Sequence, residues 1–232
     1  SSSLNPEIME MLYRYEHDER IAMISGFNED EVTPDCEDSY FFTSTFAIWG
    51  WASWRRVVDK WEGDYAFLRD KQAMKRLQSL VRQRGYRKDF LPMCSEHQQS
   101  GKEYYESIFW ASMLLNSGLA IMPSKNLVNN LGLSDNSTHF SGSIQTTPKA
   151  YRRIFTMKRY ELEFPLRHPR YVIENIDYKE RLYKTNAWGH PFIKMGRSME
   201  ELFLNLRYGN FSIITKAIKR RINKWLGKDR HV

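Results

Sequence analysis

The chain has 232 residues, of which 41% are hydrophobic and 27% charged, with a formal net charge of +7. That length and apolar content suit one large domain, or a domain with a tail, and exclude global disorder. Cys36 and Cys94 are isolated from one another, so neither a disulfide framework nor a zinc site is expected, and no apolar run reaches the length of a membrane-spanning helix.

Charge is unevenly spread. Residues 211–232 hold seven basic side chains against Asp229 alone, or +6 of the total, so the body is nearly neutral. A basic tail without a recognition motif argues against a nucleic-acid partner.

Taken in chain order, Asn5 and Pro6 read as an N-cap followed by proline at the first helical position, and Ile8, Met11, Leu12 and Tyr15 keep helical spacing. Ile21–Ser25 is a short apolar strand ended by Gly26. Asn28–Asp38 is an acidic loop, and Tyr40–Thr43 is a second, aromatic strand. Phe46 to Arg56 is dense in tryptophan, beginning as a loop and turning helical near Ala52. Residues 65–84 predict a charged helix closed by Gly85, and residues 86–101 an irregular segment. Residues 103–117 predict a helix apolar on most sides, hence buried, with Gly118 as its stop. Leu119–Met122 is a strand ended by Pro123, and Asn126–Gly132 continues as strand or extended loop. The Ser/Thr/Asn-rich run 134–150 predicts a mobile loop, prolines 165 and 169 an extended path, and the chain beyond 198 is helical. Short strands alternating with helices give an α/β class, with too few strands for a complete doubly wound sheet.

Several blocks carry a resemblance: Ile24 to Asn28, Tyr40 to Phe42, Ile48-Trp49-Gly50-Trp51-Ala52-Ser53-Trp54-Arg55-Arg56, Asn116 to Pro123, Asn126 to Gly132, Thr138-His139, and Phe164-Pro165-Leu166 with His168-Pro169. In this order they resemble a bacterial group of GT-A-fold glycosyltransferases, some of whose members are labelled hemolytic-protein-like, over roughly residues 4–170. The resemblance implies the C-terminal, acceptor-side part of such a fold: an incomplete mixed sheet flanked by helices, plus C-terminal helices. In the family an acidic Glu-Asp-Asp type motif precedes this part. The chain starts after the place where that motif is expected, so roughly 100 residues of an intact enzyme are expected upstream. The resulting division is an acceptor-side portion at 1–175, a helical extension at 176–210 and a basic amphipathic helix at 211–232.

The resemblance also assigns roles. Inverting sugar transfer needs a carboxylate to take the acceptor hydroxyl proton. The matching position is Glu106, with Glu103 as the fallback; read from the residues alone, Glu106 is a first-turn acid that stabilises a helix dipole. Trp49, Gly50 and Trp51 are placed beside the donor and acceptor sugars, with Arg55 or Arg56 available to phosphate, while Trp54 reads as core. Asp38 is a further carboxylate able to hydrogen-bond a sugar hydroxyl, or an ordinary loop acid. His139 is either a ligand to Mn²⁺ or Mg²⁺ or a solvated loop residue. A nucleotide-diphosphate sugar is the implied donor and a glycan or lipid-linked glycan of a bacterial surface polysaccharide the implied acceptor. The competing function is a non-catalytic remnant that binds a glycan or a partner.

The tail adds its own pattern. Phe211, Ile214, Ile218, Ile222 and Trp225 recur at three- and four-residue intervals between lysines and arginines. Such a helix suits an anionic membrane surface, or else docks on its own domain. A cytoplasmic chain, peripheral at the inner membrane, is the expected location.

Overall fold

The short apolar runs read as strands at Ile21–Ser25, Tyr40–Thr43 and Leu119–Met122 each appear in the structure, whereas residues 126–128 are loop. The structure, a computed structural model, describes residues 6–128 and 144–225. In chain order the elements are α1 (Pro6–Arg14), β1 (Ile21–Ser25), β2 (Tyr40–Thr43), β3 (Trp51–Ala52), α2 (Arg55–Val58), α3 (Lys71–Leu80), α4 (Arg84–Ser100), α5 (Tyr105–Leu115), β4 (Leu119–Pro123), α6 (Lys149–Arg152), α7 (Ile176–Thr185), α8 (Pro191–Arg207) and α9 (Phe211–Trp225). The chain divides into two units: Ser1–Asn130 with Met157–Gly189, and Leu131–Thr156 with His190–Val232.

The first unit is built on one open, mixed, four-stranded sheet in the order β2-β4-β1-β3. β1 and β4 run parallel; β2 on β4 and β3 on β1 are antiparallel. Both faces of the sheet are covered. Ile21, Ile24, Tyr40, Phe42 and Ile121 pack with Met11 and Tyr15 from the α1 region and with Leu166. Ala22, Met23, Phe41, Ala120 and Met122 pack on the other side with Phe109 and Met113 of α5 and Tyr178 and Leu182 of α7. Ala22 and Met23 are consecutive yet share that cluster, because the β1–β4 register shifts between Ile21 and Met23 and breaks the two-residue alternation.

Beyond α5 a third cluster gathers Tyr86, Phe90 and Cys94 of α4 with Leu77 of α3 and Tyr183 of α7. Here the structure departs from the pattern reading. Residues 86–100 are helical, and the fully buried side chains of α4 are Tyr86, Phe90 and Cys94, at four-residue spacing. Most of its other positions are polar, Leu91 and Met93 being half-buried against the same cluster, and it contains Pro92, which masked the period. Gly85 is not a stop. It lies in the first turn of α4, where a Cβ would sit 3.0 Å from Trp188 Cα and from Gly189 N. The preceding charged helix is shorter than predicted: α3 starts at Lys71, capped by Asp70, whose carboxylate accepts from the amides of Gln72 and Ala73. Helix α5 is buried as expected, but its left-handed stop is Ser117 at φ 52, not Gly118. Gly118 instead passes Ala22, whose Cβ would stand 3.2 Å from an added one.

The sheet edges are short or covered. β3 has two residues, and the outer edge of β2 is met by a bridge from Phe42 to Glu174, with Asn175 donating its amide to the Phe42 carbonyl at 2.8 Å.

In the second unit, α6 and a following 3-10 turn (Arg153–Phe155) accompany α8 and α9. The Glu200 carboxylate accepts from the Lys149 amide at 2.9 Å, and the Arg197 guanidinium lies over the Tyr151 ring at 5.1 Å. The run 134–143 falls outside the described residues. Among the described residues no helix is long and apolar enough to cross a membrane.

Burial has a titratable consequence. Cys94 is fully buried, and desolvation pushes its thiol from an ordinary 9.0 up to about 12. Between those values the unfolded chain has released a proton that the folded chain retains. This contribution to stability is therefore complete below pH 9 and is lost as pH rises toward 12. Accordingly, a thiol reagent at pH 8 is expected to label Cys36 and spare Cys94 in the native chain, and to label both in denaturant. Comparable labelling of the two in the native chain contradicts this packing.

Candidate functional site

Three loops converge where the parallel strands end. Gly26, just after β1, donates its amide to the Gly50 carbonyl at 2.8 Å, and its own carbonyl accepts from the Leu127 amide at 2.9 Å. Neither glycine leaves space for a side chain. A Cβ on Gly26 would meet Val128 Cγ1 at 2.9 Å, and one on Gly50, at φ +59, would meet the same methyl at 2.6 Å. Ser25 Oγ donates to the Ala47 carbonyl at 3.1 Å and fixes the start of the tryptophan loop. Trp49 is thereby held edge-on against Phe27, with ring centroids 4.6 Å apart.

Below this junction lies a buried polar pair. Asn28 Nδ2 donates to Thr33 Oγ1, to the Pro123 carbonyl and to the Ser124 carbonyl, while Asn28 Oδ1 accepts from the Asp30 amide. The Asn28 amide donates to Asn126 Oδ1, and Asn126 Nδ2 donates to the carbonyls of Val128 and Lys158. Both side chains are wholly buried and hydrogen-bonded throughout, so two loops without regular structure acquire one fixed arrangement.

The start of α5 is fixed differently. Tyr104 occupies the N-cap position without a side-chain cap. One residue past Glu106, the buried Ser107 hydroxyl is bonded to Tyr65 Oη (2.5 Å), His97 Nδ1 (2.7 Å) and the Tyr104 carbonyl (3.1 Å). His97 stacks on Tyr104 at 3.8 Å. A Ser–His pair invites a nucleophile reading, but Ser107 has no exposed surface and its hydroxyl is fully engaged. The cluster braces the turn that carries Glu106.

Between these constructions lies a cavity of about 360 Å³. Glu106 and Trp49 both line it, together with Tyr86, Phe90, Trp110 and Trp188. Trp188 Nε1 donates to the Asp89 carboxylate at 2.7 Å. Among the described residues, Asp89, Glu29 and Glu106 are the charged lining residues, with no lysine, arginine or histidine. Tyr86 forms part of the wall, its phenol is kept neutral by burial, and its hydroxyl has no hydrogen-bond partner. Aromatic rings beside carboxylates form a lining that stacks on sugar C–H faces and accepts from hydroxyls, and its negative charge disfavours a diphosphate. A larger open groove, about 890 Å³ along α3 and the end of α5, has no aromatic lining.

The other sequence-derived candidates lie elsewhere. Trp51 stacks on Tyr105 at 6.3 Å and packs on Phe109, next to Glu106 in sequence but outside the lining. Gly50 shapes the loop from behind. Trp54 donates Nε1 to the Leu12 carbonyl and packs on the core, as the residue pattern suggested. Arg56 is committed to the carbonyls of Tyr15, Glu16 and Ile21, which leaves the exposed Arg55 as the arginine open to solvent. Asp38 is half-buried in the loop before β2, where its carbonyl accepts from Cys36 Sγ. Glu103 is exposed beside Gly63. His139 lies outside the described residues. Sequence reasoning missed Trp188, Trp110, Tyr86 and Asp89, which belong to helices or turns remote from the tryptophan loop. The one signal that could have pointed to them was the four-residue spacing of Tyr86 and Phe90.

Gly50 provides a direct test of this geometry. Gly50→Ala is expected to cost about 1–3 kcal/mol, from the left-handed backbone and the clash together. Adding Val128→Ala should restore the steric share and leave the backbone share. If Gly50→Ala is neutral in denaturant titrations, the loop is not held as described.

Among the described residues no three His, Cys, Asp or Glu side chains come together as a metal site. No protein-family model, no curated protein and no solved structure matches the chain.

Proposed function

We propose that the chain is the acceptor side of a glycosyltransferase of the bacterial GT-A group, acting on a surface polysaccharide precursor. One observation carries the reading: Glu106, in the first turn of a braced and buried helix, shares an aromatic-lined cavity with Trp49. The acceptor sugar stacks on the indoles, and one hydroxyl is directed at the Glu106 carboxylate. In the transfer step that oxygen bonds to the anomeric carbon of the donor as the bond to the departing diphosphate oxygen breaks. Glu106 takes the hydroxyl proton. The acidic charge of the described lining supports an acceptor pocket over a diphosphate pocket, with the nucleotide-sugar donor bound by groups outside it. The same feature favours a second reading, in which the cavity binds a glycan and performs no transfer.

The two are separable. Saturation-transfer NMR with neutral oligosaccharides is expected to show binding that Trp49→Ala weakens by about tenfold, or about 1.4 kcal/mol. Glu106→Gln should leave that binding within a few-fold and reduce transfer by the source protein roughly 10²–10⁴-fold. Undiminished transfer removes Glu106 as the base. Binding without any transfer selects the glycan-binding reading, and absence of glycan binding overturns both.

A further inference from the structure

The second unit exposes an apolar face that the sequence pattern placed only on the tail. Along α8, Phe192, Met195, Met199, Leu202, Phe203 and Leu206 are between 39% and 82% exposed. At 3.6 residues per turn these six positions fall within roughly a 100° arc of the helix. No charged residue falls within that arc. Ile193, Arg197, Glu200 and Leu204 point to the opposite, partly buried side. α9 repeats the device with Phe211, Ile218 and Ile222, each at least half exposed, on one stripe. Nine large apolar side chains aligned on two consecutive helices exceed the scatter of single exposed residues found on any surface.

Charge indicates what covers this face. Residues 190–232 hold ten basic and three acidic side chains, a net +7, which is the entire formal charge of the chain. On α9, Lys219 borders the stripe, roughly 80° round the helix from Phe211, and Lys216 lies further round at roughly 140°; both are exposed. On α8 the exposed Arg207 lies next to the stripe on the helical wheel, and on the opposite side of the helix an open cavity of about 630 Å³ is lined by Lys149, Arg152, Arg153 and Arg197, with Glu200 the one acid among its described lining residues. Apolar stripes bordered by cations are the arrangement of helices that lie in a lipid interface, where the stripe enters the acyl boundary and the cations meet phosphates. A protein partner would need its own acidic apolar groove, whereas an anionic bilayer offers both properties on any patch.

We infer that α8 and α9 together form a docking surface for an anionic lipid membrane, with the α8 stripe as the inserted element. This does not rest on the sugar-transfer reading. The test is co-sedimentation of the full chain with vesicles of phosphatidylcholine alone and of phosphatidylcholine with phosphatidylglycerol. Binding is expected to the second and to be at least about tenfold weaker to the first. Met199→Ser with Phe203→Ser, and separately Lys216→Glu with Lys219→Glu, should each weaken it about tenfold or more, with the helical circular-dichroism signal unchanged. These residues are exposed, so both variants should fold. No binding to anionic vesicles, or binding indifferent to both variants, overturns the inference. Concentration-dependent self-association that Met199→Ser with Phe203→Ser abolishes, without vesicle binding, overturns it in favour of a second copy.

Discussion

The first unit depends on a buried asparagine pair more than on any single apolar contact. β1 and β4 lie side by side and parallel, so the chain leaves both strands in the same direction and must be held there by something other than the sheet ladder. Asn28 and Asn126 provide that hold through hydrogen bonds to one another and to four carbonyls. Were either side chain shortened, several buried main-chain acceptors would lose their donor at once, which costs more than the bond itself contributes. Because this junction exists, Gly26, Gly50 and Val128 can meet in van der Waals contact, and because they meet, Trp49 has one position. A crevice at the carboxyl ends of adjacent parallel strands is also where open α/β sheets generally take their ligands.

The cavity is assembled from two structures of different character. One wall is a loop fixed by main-chain hydrogen bonds and the absence of side chains; the other is helical, fixed by interlocked rings and the Ser107 cluster. Tyr86 lies 4.7 Å from Trp188 and 5.4 Å from Trp110, ring centre to ring centre, so the helical wall is a continuous aromatic layer. A layer of this kind offers stacking surface with little conformational freedom left to lose, which suits recognition of a flat-faced, hydroxylated ligand. The carboxylates add direction. Glu106 is half-buried and lines the cavity, whereas the Asp89 carboxylate already accepts from an indole N–H.

How far the sequence disclosed this depended on where the information resided. β1, β2 and β4 were legible because their apolar runs are short and uninterrupted. α5 was legible because it is apolar almost all round. α4 was not, since a helix that buries only every fourth residue and includes proline looks irregular in one dimension. Glu106 and Trp49 were named through a resemblance, and nothing in their spacing, 57 positions apart, shows that they share a cavity. Trp188 and Asp89 were invisible for the same reason: their hydrogen bond spans 99 positions and has no local signature. The tail's amphipathic period was readable, whereas α8 concealed its exposed stripe. A helical apolar period implies a buried face by default, and whether that face meets protein or solvent is decided by packing alone.

The seal on the outer edge of β2 has a dynamic consequence. Asn175 caps α7, its side chain accepting from the Tyr178 amide, and the same residue donates its backbone amide to Phe42. Next to it, Glu174 accepts from the Ser44 amide and from Lys179 of α7. Strand margin and helix start are therefore one set of bonds. Opening of the margin frees the helix, and undocking of the helix uncovers the margin, so the two exchange with solvent as a single cooperative unit. Because Leu182 of α7 is also part of the cavity wall, the same local opening would dismantle the site while the centre of the sheet remained folded.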